Sequence, residues 1–73
     1  MKNKNNDINV FCQKVKTIRK ENNLSKREMA QIMGISVYAL TIIEGGDLPD
    51  EVDVSVLLKI HEHFGVAPSS MFE

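Results

Sequence analysis

Seventy-three residues with one cysteine, Cys12, make a single domain with one modest core, and exclude an internal disulfide or a cysteine-ligated metal site as its brace. No apolar run approaches the roughly 20 residues of a membrane helix, and the polar opening Met1 to Asn9 is unlike a secretory signal, so a reducing, cytoplasmic setting is expected. The net charge of −1 hides an asymmetry: residues 1–43 carry eight of nine basic residues against Asp7, Glu21 and Glu28, leaving +5, while residues 44–73 carry Lys59 against seven carboxylates, leaving −6.

That split predicts a basic front able to approach phosphates and an acidic rear that stays away from them. Residues 1–7 read as a disordered lead-in, and 8–73 as the domain. Asp7 or Asn9 can cap a first helix running to about Asn22, with Ile8, Phe11, Val15 and Ile18 as its apolar stripe. Ser25 and Glu28 have the spacing of a capping box at the head of a second helix, with Leu24 and Met29 at the staple positions. This helix turns Met29, Ala30, Ile32 and Met33 inward and stops at Gly34. Ser36 caps a third helix that ends near Glu44, where Gly45-Gly46 breaks it.

Gly46 to Asp53 reads as a loop, because Pro49 and four carboxylates oppose helix there. A fourth helix from about Val54 to His63 buries Val56 or Leu57, Ile60 and Phe64, and Gly65 caps it. Pro68 opens a last short turn pinned to the core by Met71 and Phe72. No strand signal and no internal repeat interrupts this pattern. The fold class is therefore all-α, a compact five-helix domain.

Ala30, Gly34 and Leu40 stand at the spacing of two short helices that cross closely through a tight turn. Ala30 leaves room for the next helix, Gly34 takes the left-handed backbone the turn needs, and Leu40 closes the core between them. That geometry holds a helix out for insertion into a DNA major groove. With Leu40 and Ile43 inward, helical spacing turns Ser36, Val37, Tyr38, Thr41 and Ile42 outward.

Together with Ile18-Arg19, Leu24-Ser25, Glu28, Met29-Ala30, Met33-Gly34-Ile35-Ser36, Ile43-Glu44, Gly46, Leu57 to Ile60 and Phe64-Gly65-Val66, these residues resemble the Cro/C1-type helix-turn-helix domains of phage and bacterial repressors, over about residues 10–72. The resemblance implies a repressor-like fold, sequence-specific binding of double-stranded DNA with helix three in the major groove, and assembly as a homodimer. It implies a structural salt bridge between Arg19 and Glu44, and a phosphate contact from Lys26. Arg27 and Lys20 are expected to join Lys26, since Lys26 and Arg27 stand at a helix N-terminus, where anions are favoured. Dimer contacts are expected from helix four or the Met71-Phe72 end.

Two features depart from the family pattern. The outward positions of helix three hold no amide or cation, whereas bidentate contacts of such groups to G or A give roughly 1–3 kcal/mol of discrimination each. Val37 and Ile42 suit thymine methyls, Tyr38 a phosphate or base edge, and Thr41 either kind of polar group, so A·T-rich sites are expected. The loop after helix three, where the family often grips phosphate with basic residues, is longer than usual and carries Asp47, Asp50, Glu51 and Asp53. Both departures support a rival expectation, a protein-interaction module of antitoxin-like or anti-repressor type that keeps the fold without reading DNA.

The remaining chemistry is sparse. Phe11, Tyr38, Phe64 and Phe72 are too few for a stacking platform for single-stranded nucleic acid. His61 and His63, two apart on one helix, diverge rather than converge on a metal. Lys14 and Lys16 near Cys12 favour its thiolate slightly, although a buried helix position is the default for this residue. Ser25 and Ser36 are caps without a base beside them. No catalysis, cofactor, metal or membrane association is expected.

Overall fold

The computed structural model describes residues 4–73 of the chain. Four α-helices follow one another, α1 (Lys4–Glu21), α2 (Lys26–Met33), α3 (Val37–Glu44) and α4 (Val54–Phe64), before a closing 3-10 turn, Pro68–Phe72. Among the described residues there is no strand, and no helix is long and apolar enough to cross a membrane. The fifth helix expected from the sequence is this single 3-10 turn, which is what five residues opening on Pro68 have room for.

Helix α1 starts earlier than its expected caps. Lys4 to Asp7 lie in its first turn, so of the expected lead-in only residues 1–3 fall outside the described residues. Neither glycine nor proline interrupts this stretch, and Asp7 places a carboxylate at the positive end of the helix. The helix ends where the Asn22 side-chain amide returns to the Ile18 carbonyl at 2.8 Å and Asn23 takes φ +56°. Asparagine tolerates this left-handed conformation, so the chain turns here without a glycine.

At the head of α2 the capping box is complete. Glu28 N–H donates to Ser25 Oγ at 3.1 Å, and Ser25 N–H donates to the Glu28 carboxylate at 2.8 Å. Gly34 ends α2 at φ +75°, and Ile35 N–H closes the turn on the Ala30 carbonyl at 3.0 Å. The Lys59 ammonium from α4 lies 2.5 Å from where a Cβ on Gly34 would stand, so this turn is both left-handed and closely approached. Helix α3 ends on Gly45, with the left-handed conformation delayed to Gly46 at φ +101°.

The four helices enclose one core. Phe11, Val15 and Ile18 from α1 meet Met29, Ala30 and Met33 from α2, Leu40 and Ile43 from α3, Val56 and Ile60 from α4, and Met71. Burial of each large side chain stabilises the fold by about 1.5–3 kcal/mol. Four positions differ from the periodicity. Ile8, Ile32 and Phe64 are only half-buried, the last two because the short helices α2 and α4 each turn a narrow stripe to the core; of the alternatives Val56 and Leu57, the core takes Val56. Ala39 on α3 is fully buried. Met71 is buried as expected, whereas Phe72 stays at the surface and stacks on Phe11 with ring centroids 5.6 Å apart.

Candidate nucleic-acid interface

The ends of α1 and α3 are joined by one ion pair. Arg19 Nε donates to Glu44 Oε2 at 2.6 Å and a second guanidinium nitrogen to Oε1 at 3.0 Å, while a third reaches the Leu24 carbonyl at 3.0 Å. With side chains 14% and 5% exposed, the pair is largely shielded from water and bidentate. Hydrogen bonding to Glu44 raises the pKa of Arg19 further above its ordinary value. Arg19 thus ties α1, the turn before α2 and the end of α3 into one frame, which sets the direction in which α3 faces outward.

On that frame the outer edge of α3 is open to solvent. Tyr38 is 75% and Val37 42% exposed, and Thr41 is exposed with its hydroxyl donating to the Val37 carbonyl at 3.0 Å. Ile42 is half-buried, so it turns only part of its side chain outward. Lys26 and Arg27 occupy the first turn of α2, half-buried and exposed respectively, and Lys20 is exposed in the last turn of α1. Helices α2 and α3 pack directly on each other, so the basic head of α2 and the outer edge of α3 belong to adjacent elements.

Ser36 is exposed, yet its polar atoms are already engaged. Its hydroxyl accepts Ala39 N–H at 3.0 Å, capping α3, and donates to Glu51 Oε2 at 3.0 Å. Its backbone N–H donates to the other oxygen of the same carboxylate, also at 3.0 Å. Ser36 is expected both to cap α3 and to face the bases; the cap is present, and the hydroxyl and N–H are held within the chain by Glu51. No spacing rule points to this partner, because Glu51 stands 15 residues away across a loop. The only signals in the sequence are an uncompleted cap at Ser36 and a surplus of carboxylates after it.

Two of the other loop carboxylates bond locally. Asp47 accepts the N–H of Leu48 at 3.0 Å, and Asp53 caps α4 by accepting Ser55 N–H at 2.9 Å and its hydroxyl at 2.6 Å. These bonds hold the Asp53 carboxyl below its ordinary pKa. Cys12 is buried with its thiol toward the Asp47 carbonyl at 3.6 Å. This is the buried helix position expected of Cys12; burial, followed by the Asp47 charge, pushes its pKa up, against the slight pull of the nearby lysines toward thiolate. His61 and His63 are exposed, and among the described residues no three His, Cys, Asp or Glu side chains cluster to hold a metal.

The helix-turn-helix family matches the chain over residues 15–70, from the middle of α1 through the closing turn. No curated protein and no solved structure matches it.

Proposed function

Because the chain belongs to the helix-turn-helix family, of the Cro/C1 type, we propose that it is a sequence-specific DNA-binding regulator that acts as a repressor. Helix α3 enters the major groove with Val37, Tyr38 and Thr41 toward base edges and Ile42 at the margin. Lys26, Arg27 and Lys20 neutralise phosphates beside it. The observation that carries this reading is the exposed outer edge of α3, fixed by the Arg19–Glu44 pair next to the basic head of α2. Two copies bind related half-sites about 34–36 Å apart.

The chemistry of the edge sets the kind of site. Val37 offers methyl contact to thymine, while Tyr38 and Thr41 offer single hydrogen bonds, so no bidentate pair selects G or A. Discrimination is modest and favours A·T-rich sequence. Selection from a random duplex pool, followed by a salt titration from about 50 to 200 mM, tests the reading. Binding should fall steeply with salt, and Lys26→Ala with Arg27→Ala should lower the log–log slope by about 2. Absence of binding at the lowest salt would remove the reading.

A second reading has its own support. An edge 75% exposed at Tyr38 and 42% at Val37, with no cation or amide, also suits a protein partner. In that case the chain keeps the fold as an antitoxin-like or anti-repressor module. Saturable binding of a protein to this edge, without DNA binding at low salt, distinguishes it.

A further inference from the structure

The head of α3 carries an anion that belongs to the chain itself. Both oxygens of Glu51 are bonded to Ser36, one to the backbone N–H and one to the hydroxyl, each at 3.0 Å. A helix N-terminus concentrates partial positive charge and free N–H donors, which is where a backbone phosphate of bound DNA is drawn. Glu51 has taken that place. Helix α3 is already capped by Ser36 through Ala39 N–H, and α4 starts from Asp53, so neither helix needs Glu51 to begin. Among the loop carboxylates with bonds in the described residues, Asp47 and Asp53 serve neighbours one and two positions away, whereas Glu51 crosses to another element.

We propose that Glu51 is an autoinhibitory contact, a carboxylate standing in for a DNA phosphate at the head of α3. It must leave Ser36 before that helix seats fully in the groove. The proposal rests on the DNA reading above and deepens it. Displacement exchanges one anion for another on the same two donors and breaks no covalent bond. The loop is suited to this movement: Gly46 at φ +101° opens it, exposed Asp47 and Leu48 follow, and a turn closed by Val52 N–H on the Pro49 carbonyl at 3.2 Å carries Glu51. The chain therefore binds DNA weakly while the loop is closed, and tightens when the carboxylate leaves Ser36.

The test compares the full chain with Glu51→Gln, Glu51→Ala and Asp50→Asn on the duplex selected by the unaltered chain, or on random duplex at about 50 mM salt if selection returns none. Asp50 is exposed in the same loop and controls for general charge. Glu51→Gln and Glu51→Ala should bind about threefold to tenfold more tightly, with a gain that shrinks toward 200 mM salt, and Asp50→Asn should change binding by less than about twofold. Hydrogen exchange at the Ser36 amide should quicken in both Glu51 variants. Equal gains for Asp50→Asn and Glu51→Gln would reduce the effect to overall charge and overturn the proposal. So would unchanged or weaker binding by both Glu51 variants with intact thermal unfolding. If no variant binds even at low salt, the DNA reading falls and the gate falls with it; if all bind alike, only the gate falls.

Discussion

The heads of α2 and α3 solve the same problem in two ways. Each begins with a serine whose hydroxyl accepts an N–H of the first turn, and each offers the serine's own N–H to a carboxylate. At Ser25 that carboxylate is Glu28, three residues on and in the same helix. At Ser36 the corresponding helix position is the buried Ala39, which has no carboxylate to offer, and the carboxylate comes from Glu51, 15 residues on. The first arrangement is fixed once α2 forms. The second depends on a loop staying in place, which turns a capping device into a point of control.

The comparison holds only while both heads sit on one rigid frame, so the largest effect should come from breaking it. Arg19→Ala leaves Glu44 5% exposed without its partner, and Glu44→Ala strands the Arg19 guanidinium in the same way. Each should cost about 3–5 kcal/mol, a large part of the stability of so small a domain. Denaturant unfolding monitored by circular dichroism measures it. A loss below about 1 kcal/mol would mean that the pair behaves as an exposed one, and the geometry of both heads would need another explanation.

Removing the hydroxyl at each head sharpens the comparison. Ser25→Ala and Ser36→Ala should each lower stability by about 1 kcal/mol, because each exposes an unpaired first-turn N–H. Their consequences should then part. Ser25→Ala also frees one end of a local box, whereas Ser36→Ala loosens the loop and should quicken exchange at the Leu48 and Val52 amides, as hydrogen exchange followed by NMR would show. Equal exchange in the two variants would mean that the Ser36–Glu51 contact does not hold the loop.

What could be read from the sequence follows the range of each interaction. The capping box at Ser25, the turn at Gly34 and the core stripe Phe11, Val15 and Ile18 are set by neighbours within one or two helical turns, and periodicity reveals them. Arg19 and Glu44 lie 25 residues apart and were matched only through the resemblance, since nothing local in either helix names the other. Glu51 on Ser36 had neither a period nor a resemblance to mark it. The placement of Ile32 and Ala39 escaped for a related reason: the stripe of an eight-residue helix is set by the crossing of its neighbour, which spacing alone does not resolve. The outward edge of α3 was legible as a face and Ser36 as its cap, but not the hold of Glu51 on Ser36.

The head of α4 supplies the third case and the smallest effect. Here one residue provides both cap and charge: Asp53 accepts the Ser55 hydroxyl and N–H, which hold its carboxyl below its ordinary pKa of 3.8. A carboxyl lowered in the folded chain favours folding above its unfolded value, and the benefit disappears as pH falls through the lower folded value. The apparent unfolding midpoint should therefore decline more steeply below about pH 4 in the unaltered chain than in Asp53→Asn, which keeps the cap and loses the titration. Asp53 is exposed, so solvent screens the charge and the difference should be small but of fixed sign. Parallel acid profiles would show that α4, unlike α2 and α3, starts without help from a charge, and would confine the use of carboxylates at helix heads to the two that frame the turn.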